Sequence, residues 1–185
     1  MRNEIYKLIE NIKPNDPIEA KQKKKTLAWI ASGAEIFRAH KSNIPKKHFA
    51  AYFVLLDIKK EKILLVDHKK AGRWIPGGGH IEPNEHPRET IDREIVEEFG
   101  ISARYLLPDP IFVSVTNTPE GDTHHTDVTL WYLLAGDSQA KLNYDTREFH
   151  DARWFSFDKT PDNAQQPNLL RFLAKLKKLL GDNKI

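Results

Sequence analysis

The chain has 185 residues, of which 39% are hydrophobic and 30% are charged, and its formal net charge is +3. This length suffices for one domain with a hydrophobic core, and the composition is typical of soluble globular proteins. No apolar run is long enough to span a bilayer, and the first ten residues lack the apolar stretch of a signal peptide. There is no cysteine, which excludes disulfides and thiolate zinc sites. We therefore expect a cytoplasmic protein with no membrane partner.

Residues 1–47 are predicted to form a helical N-terminal extension. Apolar residues recur there at helical spacing: Ile5, Leu8, Ile9 and Ile12. Pro14 interrupts this pattern, and Asp16 followed by Pro17 resembles the capped start of a second helix, which we expect to continue to about Arg38. Residues 41–47 then form a connector.

A second domain, rich in β-strands, is predicted over residues 48–185. The runs AAYFVLLDI and KILLVDH, separated by the polar KKEK, predict a β-hairpin. GRWIP follows as a short strand, and further strands are expected at ARYLL, IFVSVTNT, DVTLWYLLA and ARWFSF. Helical spacing predicts one helix from Pro87 to Phe99, with Gly100 as its C-cap, and an amphipathic helix from about Gln165 to Gly181.

Three glutamates crowd one face of the helix predicted at Pro87. Glu94, Glu97 and Glu98 stand at positions i, i+3 and i+4, which share a helix face and repel one another. From residue 79 to residue 100 there are seven acids against two arginines, net −5, so the rest of the chain carries +8. A divalent cation held by carboxylate oxygens would offset the repulsion. The basic remainder suits an anionic ligand.

The segment around these glutamates resembles the complete Nudix box. It reads Gly79, five residues, Glu85, seven residues, then Arg93, Glu94, Ile95, any residue, Glu97, Glu98, any residue, Gly100 and Ile101. The similarity extends from about Phe49 to the C-terminal helix, through WIPGG and a later WF, and leaves out the N-terminal helices. It implies an α/β fold, a Nudix-type α/β/α sandwich with a mixed β-sheet, to which the N-terminal helices are an extension.

The resemblance also implies a reaction, namely hydrolysis of a nucleoside diphosphate linked to another group, with Mg²⁺ or Mn²⁺ as cofactor. Glu94, Glu97 and Glu98 match the glutamates that bind the metal, and one of them can act as general base. Backbone carbonyls of Gly78 and Gly79 stand where the family often adds a metal ligand. The same resemblance assigns a structural role to Gly100 and to Arg93 paired with Glu85.

Many members of the family take a further catalytic acid from a loop before a late strand. Glu148, in TREFHDARWF, is the best-placed candidate, and Asp145 and Asp151 are its competitors.

Several other polar and aromatic residues are candidates for substrate contacts. Neither histidine pair has zinc-site spacing, so solvated loop positions are expected for His80, His86, His124 and His125. A similar His-Thr-Asp stretch borders the active site in some members of the family, which makes His125 and Asp127 candidates for contact with substrate or metal. Trp74 and Tyr52 are candidates for stacking on a base, with core packing as the alternative for both.

Substrate choice stays open at this point. Nucleoside di- and triphosphates, including oxidised ones, are the first candidates. Nucleotide sugars, ADP-ribose and dinucleoside polyphosphates are alternatives. A nucleotide-sensing Nudix module without turnover is the competing function, although no box carboxylate is lost. An isoprenyl diphosphate isomerase, which relies on cysteine, is excluded. Nucleic-acid binding is not indicated beyond positive charge. Members of the family are often dimers, so the resemblance implies a homodimer.

Overall fold

A computed structural model describes residues 1–38, 45–118, 125–164 and 167–185. The helices in this part of the chain are α1 (Arg2–Asn11), α2 (Pro17–Ala31), α3 (Pro87–Phe99) and α4 (Pro167–Gly181). The strands are β1 (Lys47–Asp57), β2 (Lys62–His68), β3 (Arg73–Ile75), β4 (Gly77–His80), β5 (Phe112–Thr118), β6 (His125–Ala135) and β7 (Phe149–Ser156). The central strand order is β3-β2-β1-β6-β5, with β4 paired to β1 and β7 to β2. The predicted mixed α/β class is confirmed.

The chain divides into two units, and β1, β6 and α3 each contribute residues to both. The first unit comprises Met1–Tyr52, Gly78–Ile91 and Asp109–Tyr132, and the second comprises Phe53–Gly77, Asp92–Pro108 and Leu133–Ile185. Within the described residues, no helix is both long and apolar enough to cross a membrane.

The first unit contains both N-terminal helices. Ile5 and Ile9 are fully buried, as their helical spacing predicts. The Asp16 carboxylate accepts hydrogen bonds from the backbone N–H groups of Ile18 and Glu19 at 2.8 and 2.9 Å, which confirms the predicted N-cap. α2 lies against β5. α2 therefore packs on the sheet of its unit and α1 packs on α2, while the domain boundary at residues 47 and 48 stays a prediction.

The prediction that the second helix continues to Arg38 is wrong, because α2 ends at Ala31. Ser32 is its C-cap, and Gly33 follows with φ of +77°. That left-handed conformation is the usual end of a helix, since glycine adopts it without steric cost.

The second unit is built around β2. Antiparallel partners flank this strand: β3 pairs Val66 with Ile75, and β7 pairs Leu64 with Trp154. The end of β1 forms the predicted hairpin with β2, with Leu56 opposite Ile63. α4 buries most of its apolar stripe, namely Leu169, Phe172, Leu173 and Leu176.

Two strand predictions differ from the structure. ARYLL forms only an isolated bridge between Tyr105 and Leu134. Pro108 and Pro110 follow it, and proline has no backbone N–H to extend a ladder. Conversely, β4 is a strand that was not predicted. Its sequence, Gly-Gly-Gly-His, has low β-propensity, but the segment pairs with β1.

Candidate functional site

The predicted glutamate face exists on α3, and its three carboxylates differ in exposure. Ile95 and Phe99 are buried beside the glutamate face, which fixes the rotation of α3. The side chain of Glu97 is 59% exposed, that of Glu94 is 15% exposed, and Glu98 as a residue is 4% exposed. One helix therefore presents carboxylates from the interior of its unit to solvent.

Arg93 neutralises part of this charge. Its Nη1 lies 2.6 Å from Glu94 Oε1 and 3.6 Å from Glu97 Oε2. Burial nevertheless raises the pKa of Glu94, and the charges of Glu97 and Glu148 add to this effect against the opposing influence of Arg93. A carboxyl with a raised pKa beside other acids is common at functional sites.

The lack of a side chain at Gly77 leaves room for the Glu98 carboxylate. A Cβ at Gly77 would overlap Glu98 Oε2 and the Phe53 ring. The backbone N–H of Asp145 donates a 2.8 Å hydrogen bond to the Glu98 carbonyl, which attaches the loop before β7 to the end of α3. Gly100 closes the helix with φ of +66° and donates its N–H to the Val96 carbonyl at 2.9 Å, which confirms its predicted role as C-cap.

Of the three candidate acids, Asp145 and Glu148 lie in the loop before β7, and Asp151 is the third residue of β7. Asp145 accepts hydrogen bonds from Arg147 Nε at 3.0 Å and Arg147 Nη2 at 2.6 Å, and this interaction lowers the pKa of Asp145 to about 2. Asp151 forms an ion pair with Arg153. Glu148 is exposed, and its charge acts on Glu94. These contacts favour Glu148 over both competitors, although its catalytic role stays a prediction.

The glycine-rich approach to α3 has tight backbone packing. Gly78 has φ of +135°, and a Cβ there would overlap the Ala51 carbonyl oxygen. Glu85 accepts hydrogen bonds from the Glu82 N–H at 3.0 Å and from Thr90 Oγ1 at 2.7 Å. Glu85 thus fastens the loop to the first turn of α3. Its pairing with Arg93, and metal binding by the carbonyls of Gly78 and Gly79, stay predictions.

A second cluster, in the first unit, joins His48, His80, His125 and Asp127, and one ligand atom from each lies within 4.8 Å of the others. His125 and Asp127 share a face of β6 because residues two apart on a strand point the same way. His48 lies on the neighbouring β1, and His80 ends β4, which also pairs with β1. We call these four residues the histidine cluster.

The Asp127 carboxylate is the centre of the histidine cluster. The Nε2 atoms of His48 and His80 each lie 3.2 Å from its Oδ1, and His125 Nε2 lies 3.2 Å from its Oδ2. Burial disfavours the charge of Asp127, but the interactions with His48 and His80 and the nearby positive charge prevail and lower its pKa. Burial lowers the pKa of His80, against the opposing effect of Asp127.

The expectation of solvated loop histidines is wrong for His125 and His80. Both residues belong to strands, and the exposed fraction is 7% for His125 and 31% for the His80 side chain. His48, which is fully buried at the start of β1, is not among the residues predicted from the sequence. In the sequence, the spacing of His125 and Asp127 places the two side chains on one face of a strand, but it does not indicate which residue of another strand they contact. His124 lies outside the described residues.

The aromatic candidates occupy packed positions. Trp74 is 9% exposed, and its ring lies 5.0 Å from that of Phe155 in edge-to-face geometry. The Tyr52 ring meets the ring of Trp131 at 5.3 Å. Both contacts are typical of aromatic packing. Stacking on a substrate base by Trp74 or Tyr52 stays a prediction.

Sequence comparison agrees with the box on α3. A family model described as NUDIX domain matches residues 46–176. The chain is 30% identical over 139 residues to bis(5′-nucleosyl)-tetraphosphatase [asymmetrical] of Rattus norvegicus, covering 75% of this chain and 86% of that protein. It is 24% identical over 123 residues to the uncharacterized Nudix hydrolase YvcI of Bacillus subtilis, covering 65% of this chain and 76% of the relative.

Comparison with solved structures gives the same family. A hydrolase of the NUDIX family from Clostridium perfringens superimposes with a TM-score of 0.55 and is 26% identical in sequence. The match covers 71% of this chain and 97% of the other. The part of the chain that it leaves out is comparable in length to the N-terminal extension.

Proposed function

This chain belongs to the Nudix family, a family of hydrolases that act on pyrophosphate bonds, and from that premise we propose that it is a metal-dependent hydrolase of nucleoside polyphosphates. The observation that carries the proposal is the face of α3 with Glu94, Glu97 and Glu98 and the neighbouring charge of Glu148. The charges of Glu97 and Glu148 act on Glu94, whose side chain is 15% exposed and whose pKa burial raises, and this environment suits a hard cation.

These residues fit Mg²⁺ or Mn²⁺ by the chemistry of their donors. Glu97 and Glu98 would hold the ion, with Glu94 beside them and the carbonyls of Gly78 and Gly79 as further predicted oxygen ligands. Such ions prefer oxygen donors and keep room for water and substrate phosphate. When bound, the ion supplies charge neutralisation at the diphosphate and a lower pKa for water.

The protein residues then have separate tasks. Glu94 or Glu148 accepts the proton of the attacking water, and the raised pKa of Glu94 makes it the better base near neutral pH. Arg93 limits the repulsion between Glu94 and Glu97. The bond between water oxygen and phosphorus forms as the phosphoanhydride bond breaks, and the departing phosphate carries the electron pair.

The substrate that we propose to test first is a bis(5′-nucleosyl) tetraphosphate. The rat relative at 30% identity is named for that substrate, and its name specifies asymmetric cleavage. Asymmetric cleavage of four phosphates gives a nucleoside triphosphate and a nucleoside monophosphate. Nucleoside triphosphates, nucleotide sugars and ADP-ribose share the phosphoanhydride bond and complete the panel.

The test is turnover of this panel by the full chain in the presence of Mg²⁺, with products separated by chromatography. We expect hydrolysis that stops with a chelator and falls by orders of magnitude in Glu97→Gln and Glu98→Gln. Glu89→Gln, a substitution in the first turn of α3, is the matched control on the same helix. Unchanged turnover in both Glu97→Gln and Glu98→Gln would refute the proposal.

Calorimetry on the same panel distinguishes the competing function. Saturable nucleotide binding without turnover of any panel member would replace the hydrolase by a sensing module. A molar mass of twice the monomer, measured by analytical ultracentrifugation, would support the predicted homodimer.

A further inference from the structure

The two ring nitrogens of His48 have different surroundings. Its Nδ1 lies 2.7 Å from the Pro45 carbonyl oxygen, which can only accept, so Nδ1 carries the proton. In a neutral His48, Nε2 then carries no hydrogen and can only accept a hydrogen bond or bind a cation. This atom is buried and makes no hydrogen bond among the described residues, although Asp127 Oδ1 lies 3.2 Å away. A proton on Nε2, or a metal ion between Nε2 and Asp127 Oδ1, would make this contact favourable.

His80 has the opposite arrangement. Arg38 Nη1 lies 2.9 Å from His80 Nδ1, and because a guanidinium only donates, this Nδ1 accepts. The proton of neutral His80 therefore sits on Nε2 and is donated to Asp127 Oδ1 at 3.2 Å. His80 holds the carboxylate in place, which is the usual role of a residue behind a metal-binding side chain.

We propose that His48, His125 and Asp127 bind one divalent transition-metal ion of the zinc type, and that His80 orients Asp127. With bonds to zinc of about 2.0–2.2 Å, ligand atoms in tetrahedral geometry are roughly 3.3 Å apart. The distances from His48 Nε2 and His125 Nε2 to the nearest Asp127 oxygens are both 3.2 Å. Both distances are close to the spacing that such an ion requires of its ligand atoms.

The donor chemistry separates this site from the carboxylates of α3. Two imidazoles and a carboxylate favour zinc and its neighbours in the transition series, whereas Mg²⁺ takes oxygen ligands. The full burial of His48 and the 7% exposure of His125 also suit a bound ion, because they hold the imidazoles in one orientation. Three protein ligands leave one tetrahedral position for water or another ligand. The inference thus goes beyond the proposed hydrolysis and concerns different residues.

The test begins with the full chain, stripped of metal by a chelator and reloaded with one equivalent of Zn²⁺ in the presence of excess Mg²⁺. X-ray absorption at the zinc edge reports the number of imidazole ligands. We expect two or more imidazoles per zinc. Fewer than two, or no stoichiometric zinc, would overturn the proposal and leave a protonated His48 as the cation that faces Asp127.

Variants give a second, independent measurement. Removal of a residue behind the ligands typically weakens metal binding about 10–100-fold, so His80→Asn should fall in that range. His125→Asn and Asp127→Asn remove ligands and should weaken Zn²⁺ binding more than about 100-fold. His150→Asn, at an exposed histidine of β7, is the matched control and should bind as the natural chain does. Equal affinity in all four variants contradicts the assignment, and circular dichroism verifies that each is folded. If a variant does not fold, the number of imidazole ligands measured by X-ray absorption on the natural chain tests the proposal instead.

Discussion

Gly77 and Glu98 are so close that no side chain fits between them. A Cβ at Gly77 would overlap Glu98 Oε2 on one side and the Phe53 ring on the other. Glu98 is 4% exposed and Phe53 is 1% exposed, so neither can move into solvent without opening the packing of the unit. The absence of a side chain at Gly77 thus sets the position of a predicted metal-binding carboxylate.

Gly77→Ala should therefore reduce both stability and hydrolysis. Overpacking a well-packed site costs about 1–3 kcal/mol, which should lower the melting temperature measured by circular dichroism. Displacement of Glu98 should also lower kcat in the nucleotide assay. Gly181→Ala is the control, since an added methyl group there meets nothing within 4 Å. A Gly77→Ala protein that melts and turns over as the natural chain does would contradict the tight contact.

Glu148→Gln should lower turnover about 10²-fold or more if Glu148 shares the proton transfer. The physical reason is that Glu148 is the acid of its loop whose charge acts on Glu94, while Asp145 and Asp151 are engaged by arginines. Asp151→Asn is the matched control and should keep kcat within a few-fold. Comparable kcat values for the two variants would remove Glu148 from the catalytic residues.

The glutamate face was predictable because all of its information is local. Positions i, i+3 and i+4 of one helix share a face whatever the rest of the fold does, and Ile95 and Phe99 fix which face is buried. Gly100 was predictable for the same reason, since a helix end needs a residue that tolerates positive φ.

The histidine cluster could not be predicted because it depends on strand pairing. His48 and Asp127 are distant in sequence and meet only because β1 and β6 are neighbours in the sheet. Register between distant strands is set by packing and turns, not by the residues that meet. β4 was missed because its glycines have no β-propensity, and it pairs through backbone groups alone.

The buried charge of Glu94 makes the stability of the metal-free protein depend on pH. Burial raises the pKa of Glu94 in the folded state, so the contribution of this group is most favourable below its unfolded pKa and is lost as pH rises through the folded pKa. In chelator, Glu94→Gln should thus gain melting temperature relative to the natural chain as pH rises from 4 to 8. Each kcal/mol corresponds to roughly 2–4 °C at this chain length.

Glu89→Gln serves as control for Glu94→Gln, because it makes the same chemical change in the first turn of the same helix. The difference in melting temperature between Glu89→Gln and the natural chain should not increase as pH rises from 4 to 8. A difference in melting temperature between Glu94→Gln and the natural chain that stays constant from pH 4 to 8 would contradict the raised pKa.

Asp57 joins the β1–β2 turn to the segment after β6. Its Oδ2 accepts a 2.9 Å hydrogen bond from the Ser138 N–H, and its Oδ1 accepts one at 3.2 Å from the Lys60 N–H. Hydrogen bonds to a charged group contribute about 1.5–3 kcal/mol, so Asp57→Ala should melt several degrees lower at pH 7. The exposed Asp109→Ala should stay within about 0.5 kcal/mol of the natural chain.

The pH dependence of this effect has the opposite sign to that of Glu94. The hydrogen bonds from Ser138 lower the pKa of Asp57 below its ordinary value of 3.8. The stabilisation is therefore present above that unfolded value and is lost as pH falls through the lower, folded pKa. The difference in melting temperature between Asp57→Ala and the natural chain should be largest near neutral pH and should shrink in acid below pH 3.8. A difference that persists undiminished in acid would show that Asp57 acts through packing and not through its charge.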